Sequence, residues 1–163
     1  MAKRSRSPAA RPSPPAATEP QTTSPSIRYI ESSALVAALL ERDGGARSAV
    51  QSNKGRRVTS ALTLAETARA ILRARVSGRL TAEQERASVQ ALRRFERRCY
   101  VVAVTDAVLA RVRRPFPVEP IRTLDAVHLA TAELLGEPPP LMTLVTRDSR
   151  IRENAEALGY AVA

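Results

Sequence analysis

Residues 122–130 carry the sequence RTLDAVHLA, in which an apolar run begins after a proline-rich loop at 114–122. The spacing of its apolar residues is typical of a helix packed on a core, and it predicts a helix over 123–135 that Gly136 ends. Asp125 falls in the first turn of this helix, where the helix dipole favours a carboxylate. The stretch therefore predicts a helix whose amino end presents one acidic side chain.

Short apolar runs alternate with helical stretches on both sides of this helix. The strand candidates are Ile27–Ile30, Arg57–Ser60, Cys99–Val104, Met142–Thr146 and Tyr160–Val162. Helices are expected at about 34–42 with Ser33 as N-cap, 64–76, 105–113 and 149–158, with a short one to about 51 and another from a Thr81–Gln84 capping box to about 97. Strands alternating with helices indicate an α/β fold in three layers, with a central parallel sheet of about four to five strands flanked by helices.

The first 26 residues differ in composition from the rest of the chain. They hold six of the 12 prolines, several Ser, Thr and Arg residues, and no Leu, Ile, Val or Phe. A segment with so little apolar surface cannot offset the entropy of ordering. We therefore expect a disordered Pro/Ser/Arg-rich tail over residues 1–26 and one folded domain over residues 27–163.

Composition excludes several classes of protein. One cysteine and one histidine in 163 residues exclude an internal disulfide and a Cys/His zinc site. No apolar run is long enough for a membrane span or a secretory signal, so we expect a cytoplasmic protein. The formal net charge of +10 favours a polyanionic partner such as RNA, and a coding bias toward arginine explains it equally well.

Four carboxylates fall where strands end and helices begin. Glu31 follows the first strand, Asp148 follows the fourth, and Glu66 and Asp125 lie near the starts of their helices. In a parallel sheet these positions share one edge, where ligand sites form. Mg²⁺ takes oxygen ligands, so the sequence predicts a magnesium site there, with Mn²⁺ as a substitute.

Each of these residues also has a purely structural interpretation. Glu66 fits a capping box with Thr63, and Asp125 and Asp148 fit helix caps. Glu31 is the hardest to explain as structure, because a carboxylate directly after a buried strand is costly unless something neutralises it. His128 is favoured as a packed side chain at the edge of an apolar stripe, which is formed by Leu124, Val127, Thr131 and Leu134.

Taken in order, four motifs resemble those of the PIN-domain nucleases. The motifs are Tyr29–Leu35, Leu62–Glu66, Arg122–Ala130 and Leu144–Asp148. The third is the most specific, and the span from about residue 27 to the end is similar to the short VapC-like toxins of type II toxin–antitoxin pairs. The resemblance implies a PIN-like fold, a homodimer, cleavage of RNA with a divalent metal, and a cognate antitoxin protein.

The resemblance also implies residue roles. Glu31, Asp125 and Asp148 would hold the metal, Glu66 would complete the catalytic set, and Ser33 and Thr146 would support it by hydrogen bonding. The departure is at position 31, where the family has Asp and this chain has Glu. The extra methylene moves the carboxylate by about 1.5 Å, more than the roughly 0.5 Å within which such sites are held.

Two alternatives to a working nuclease stay open on the sequence. Glu31 favours a catalytically weakened PIN-like module that binds RNA or a protein without cutting. A phosphoacceptor receiver or a phosphatase of the haloacid dehalogenase type is less favoured. Those proteins need an aspartate nucleophile after a strand and a well-placed lysine, and here position 31 is Glu and Lys54 lies in a polar loop.

Overall fold

The computed structural model describes residues 27–163, and a parallel sheet lies at the centre of that part of the chain. Its strands are β1 (Ile27–Ile30), β2 (Arg56–Ser60), β3 (Tyr100–Val102), β4 (Met142–Val145) and β5 (Ala161–Val162). Every pairing is parallel, and the order across the five-stranded sheet is β3-β2-β1-β4-β5. The predicted α/β fold is therefore confirmed. The tail expected over residues 1–26 lies outside the described residues.

Helices cover both faces of the sheet. They are α1 (Ser32–Leu39), α2 (Gly44–Gln51), α3 (Ala61–Val76), α4 (Ala82–Glu96), α5 (Asp106–Val112), α6 (Thr123–Glu133) and α7 (Ser149–Ala157), with a 3-10 turn at Pro139–Leu141. Buried side chains of α1–α4 form one core cluster, and those of α5–α7 form the other. The fold thus has the three layers that the sequence predicts.

The central strand β1 shows how the sequence separates the two cores. Tyr29 and Ile30 are both fully buried, but Tyr29 belongs to the core under α5–α7 and Ile30 to the core under α1–α4. Successive side chains of a strand point to opposite faces of the sheet, so a strand covered on both faces needs buried residues throughout. The two faces of β1 therefore contact different helical layers, and the strand itself leads to Glu31.

Two helix starts differ from the sequence prediction. Glu31, not Ser33, is the N-cap of α1, and its side chain accepts a hydrogen bond from the Ser33 amide. Ser60, not Thr63, is the N-cap of α3, so the capping box that paired Thr63 with Glu66 is wrong. Where a strand continues directly into a helix, the residue at the junction caps the helix, and the sequence pattern does not show where that junction falls. The capping box of Thr81 with Gln84 is confirmed.

Helix α6 is buried on all sides along its centre, and not only along the predicted apolar stripe. Every residue from Ala126 to Ala132 is buried, whereas Leu124 and Leu134 are 49% and 50% exposed. The prediction that these two leucines belong to the buried stripe is wrong, because they lie at the two ends of the helix, where neighbouring elements do not cover them. Within residues 27–163, no helix combines the length and the apolar character that crossing a membrane requires.

Candidate active site

The four carboxylates lie at the carboxyl edge of the sheet, as the topology requires. Glu31 directly follows β1, and Asp148 follows β4 as the N-cap of α7. Asp125 is in the first turn of α6. Glu66 lies in the second turn of α3, one turn later than expected, because α3 begins at Ala61.

The carboxylate of Glu31 is buried and fully hydrogen-bonded. Its Oε1 accepts from the Ser32 hydroxyl at 2.6 Å and from the Ser33 amide at 2.9 Å. Its Oε2 accepts from the Ser33 hydroxyl and from the Thr146 hydroxyl at 2.9 Å. A carboxylate has about four acceptor positions, so these donors occupy them all. This explains how a carboxylate that is 2% exposed persists directly after a buried strand.

Ser33 and Thr146 join Glu31 to the turn that carries Asp148. The Ser33 hydroxyl accepts from the backbone amides of Arg147 at 2.7 Å and Asp148 at 3.1 Å. The Thr146 hydroxyl also accepts from the Asp148 amide, at 3.0 Å. Each hydroxyl therefore donates to Glu31 and accepts from the β4–α7 turn. The backbone of Asp148 is held through these hydroxyls, and its side chain caps α7 through Oδ1.

Asp125 presents the opposite situation. Its Oδ2 is buried and has no hydrogen-bond partner. Burial raises the pKa of this carboxyl, and the neighbouring charges of Asp148 and Glu31 raise it further. An unpaired acceptor inside a cluster of negative charge is unfavourable in the protein alone. A cation at this position would relieve both the lost hydrogen bond and the repulsion.

Glu66 is held by His128, which reaches it from α6. The Nε2 of His128 lies 2.7 Å from Oε2 of Glu66 and 3.7 Å from Oε1 of Glu31. Burial acts to raise the pKa of the Glu66 carboxyl, but the hydrogen bond from His128, the nearby Ser32 hydroxyl and the charge interactions with His128 and Arg73 outweigh it and hold that pKa below its ordinary value. His128 is 1% exposed, and its Nδ1 lies 3.2 Å from the Tyr29 hydroxyl.

The compact group of possible ligands differs from the predicted set. Within residues 27–163, ligand atoms of Glu31, Glu66 and His128 lie within 4.8 Å of one another, and Asp125 and Asp148 lie outside that group. The charges of Asp148 and Glu31 nevertheless raise the pKa of Asp125, so these three carboxylates are close enough to interact. The bare oxygen of Asp125 and a set of carboxylate oxygens fit a hard divalent cation such as Mg²⁺ or Mn²⁺.

Sequence reasoning underestimated His128. The residue is buried as expected, but both ring nitrogens have polar partners. The one sequence feature that indicates a role for His128 in the site is its position one helical turn after Asp125, which puts both side chains on the same side of α6. The sequence did not reveal that Tyr29 and Glu66 would be its partners.

The comparisons agree with this architecture. The PIN domain family model matches residues 28–157. Ribonuclease VapC35 of Mycobacterium tuberculosis is 39% identical over 137 residues, which are 82% of this chain and 93% of that protein. The crystal structure of VapC20 from the same organism, described as a sarcin-ricin loop cleaving toxin, is similar to this fold with a TM-score of 0.59. The two sequences are 18% identical, and the match covers 82% of this chain and 96% of that one.

A second solved structure is VapBC2 from Rickettsia felis bound to a DNA fragment from its promoter. Its matching chain has a TM-score of 0.58 and 14% identity, with coverage of 84% of this chain and 97% of that one. At such identities the two structures support the fold, while the family match and the relative at 39% identity extend over most of the chain. The chain therefore belongs to the PIN-domain family.

Proposed function

We propose that this protein is a metal-dependent endoribonuclease that acts as the toxin of a toxin–antitoxin pair. The observation that carries the proposal is the buried Oδ2 of Asp125, which has no partner and lies among the charges of Asp148 and Glu31. An unsatisfied buried acceptor costs about 1–3 kcal/mol in the protein alone, and a bound cation would offset this cost. The related proteins that are named ribonucleases support RNA as the substrate.

The protein groups have separate tasks in this proposal. Asp125 and Asp148 would hold Mg²⁺ or Mn²⁺, with Glu31 as the third ligand and Glu66 beside it. The chemistry that a divalent ion held there would supply is a lowered pKa of a water nucleophile and stabilisation of the charge that develops on a phosphodiester. Ser33 and Thr146 keep Glu31 and the Asp148 backbone in fixed relation, and His128 orients Glu66. A cysteine or histidine nucleophile is not required.

The test is cleavage of total RNA by the purified chain with Mg²⁺ or Mn²⁺. We expect the parent to cut, EDTA to stop it, and Asp125→Asn to lose at least about 100-fold in rate, the upper range for disturbing a metal site from outside its ligands. Asp106→Asn is the matched control, since Asp106 occupies the first turn of α5 and is exposed. Cleavage by Asp125→Asn at the parental rate, or none by the parent, would contradict the proposal.

A second candidate function rests on Glu31. Its carboxylate is saturated by four donors, so a metal would compete with hydroxyl groups for it. This favours a weakened module that binds RNA or a protein without cutting. Glu31→Asp separates the two: a large gain in cleavage identifies Glu31 as an impairment, whereas equal or lower activity identifies it as a working ligand.

We further propose an antitoxin protein as the partner, a homodimer as the assembly, and the cytoplasm as the location. Similarity to a chain of a VapBC structure supports the first of these, and family membership supports the others. We expect the antitoxin to be a small protein encoded beside this chain, and co-expression of the two should give a stable complex that no longer cuts RNA. Light scattering of the isolated chain should give twice the 17.7 kDa mass of one chain. If the chain stays uncomplexed in the co-expression, the proposed antitoxin partner is refuted. If light scattering gives the mass of a single chain, the proposed homodimer is refuted.

A further inference from the structure

His128 is the buried group whose contacts the metal site alone does not explain. Among the residues that the structure describes, it joins the two helical layers at the carboxyl edge of the sheet, because it comes from α6 and bonds Glu66 of α3. Its ring also meets that of Tyr29 edge-on, with centroids 6.3 Å apart. The side chain is therefore fixed by both packing and hydrogen bonds.

The partners of the ring determine which nitrogen carries the hydrogen. The Glu66 carboxylate only accepts hydrogen bonds, so Nε2 of His128 must donate across their 2.7 Å contact. In a neutral ring with its hydrogen on Nε2, Nδ1 is an acceptor, and the Tyr29 hydroxyl lies 3.2 Å away in a position to donate to it. Tyr29 keeps its proton, because burial raises the pKa of its hydroxyl well above the usual value. With a neutral ring, the bonds would run from Tyr29 to His128 to Glu66, and this is the form that the proposal below assigns.

A hydrogen bond from Nε2 matters for Glu66 because a glutamate side chain has three torsions, so its carboxylate stays in one place only if a neighbouring group holds it. Glu66 is in the second turn of α3, so it does not cap that helix, which Ser60 does. The Nε2–H of His128 lies nearer to Glu66, at 2.7 Å, than to Glu31, at 3.7 Å. Its one hydrogen is thus committed to Glu66, while Glu31 is satisfied by hydroxyls and an amide.

We propose that His128 is a positioning residue, held in its Nε2–H form by Tyr29, that fixes the Glu66 carboxylate for the reaction rather than binding metal itself. The inference rests on the proposed nuclease function. It assigns a task to the histidine of the third motif and to the tyrosine of β1. Supporting contacts of this kind alter metal affinity or activity by about 10–100-fold when removed.

The first experiment reads the tautomer directly and does not depend on activity. His128 is the one histidine of the chain, so the nitrogen-15 spectrum of the untagged protein shows a single imidazole. We expect the hydrogen on Nε2, a signal that shifts in Glu66→Gln, and no shift in Glu153→Gln, an exposed glutamate of α7. A hydrogen on Nδ1, or a signal that ignores Glu66→Gln, would overturn the proposal.

The second experiment separates positioning from mere packing. His128→Leu removes the donor, and His128→Gln keeps an amide N–H that reaches toward Glu66. We expect His128→Leu to weaken Mn²⁺ binding and to lower kcat by about 10–100-fold with KM for RNA little changed, and His128→Gln to recover most of both. If both variants are folded and equally impaired, or if neither is impaired, His128 is not a positioning residue.

Tyr29→Phe keeps the proposal testable if His128→Leu does not fold. It removes one hydroxyl that donates to Nδ1 and retains the ring in the core. We expect its imidazole to lose the single Nε2–H form and its Mn²⁺ affinity to fall less than in His128→Leu; an unchanged imidazole would refute the role of Tyr29. If the parent binds Mn²⁺ but cuts no RNA, the nuclease function fails while the spectrum and the Mn²⁺ titrations still decide the inference.

Discussion

The two carboxylates Glu31 and Asp125 share one site and have opposite surroundings. Glu31 is at the end of the central strand and receives four hydrogen bonds. Asp125 is at the start of a helix on the other face and keeps a buried oxygen without any partner. The first carboxylate is part of the structure that holds the site together. The second is tolerated by the structure at a cost, and this identifies it as the better indicator of an external ligand.

The largest difference in stability should separate two variants in which an acid is replaced by its amide, Glu31→Gln and Asp125→Asn. In Glu31→Gln one acceptor oxygen becomes an NH₂ group that faces hydroxyl donors, so two hydrogen bonds to charge weaken. We expect a loss of about 3 kcal/mol, at about 1.5 kcal/mol for each bond. In Asp125→Asn the same exchange removes repulsion and supplies a donor to the neighbouring carboxylates, so the free energy of unfolding should rise. Urea unfolding in EDTA measures both.

The contrast between Glu31 and Asp125 fails if both variants change the free energy of unfolding in the same direction. If Asp125→Asn is destabilised as much as Glu31→Gln, Asp125 is a structural residue and its bare oxygen has no special meaning. Asp106→Asn again serves as the control, since it lies in a first helical turn away from the cluster and should unfold like the parent.

Added metal should reverse the ranking of parent and Asp125→Asn. Mn²⁺ at about 100 times its Kd stabilises the state that binds it by about 2.7 kcal/mol. We expect thermal unfolding of the parent to shift upward with Mn²⁺ and that of Asp125→Asn to stay where it was. Equal shifts in the two proteins would place the ion away from Asp125.

A smaller effect concerns pH. The pKa of Asp125 is raised in the folded protein by burial and by Asp148 and Glu31, so between the ordinary and the raised pKa the folded state binds more protons than the unfolded state. The stability of the parent then falls as pH increases through that window. The difference in free energy of unfolding between Asp125→Asn and the parent should be small at the acid end of this window and grow with pH. A difference that shrinks as pH rises would show that it does not come from the raised pKa of Asp125.

The smallest effect should come from Thr81, which caps α4 far along the chain from the site. Thr81→Ala removes the bond to the Gln84 amide and should cost about 1 kcal/mol without changing RNA cleavage. Chemical unfolding and the cleavage assay together check this. A change in cleavage beyond the lost folded fraction would show that the two regions are coupled.

Much of this arrangement could be predicted from the sequence. The alternation of apolar runs with helical stretches gave the parallel sheet, and strand ends placed Glu31 and Asp148 at one edge. The motif around Asp125 gave the family. These features depend on residues close together in sequence.

The contacts inside the site could not be predicted, because they depend on where side chains meet in space. Glu31 replaces Ser33 as the cap of α1 because Ser33 and Thr146, 113 residues apart, both donate to it. The partners of His128 are 99 residues away at Tyr29 and 62 away at Glu66. No local pattern reports such pairs, so the sequence shows neither the donors that neutralise Glu31 nor the polar partners of His128.

The position of β1 between β2 and β4 has a consequence for how the protein is made. The strand after which Glu31 lies gains its second neighbour only when residues 142–145 have been synthesised, and the Thr146 hydroxyl and Asp148 follow them. Long-range parallel pairing is a slow step in folding. Glu31, Asp125 and Asp148 can therefore converge only after residue 148 has been synthesised, so a nascent chain that ends before this residue lacks the assembled site.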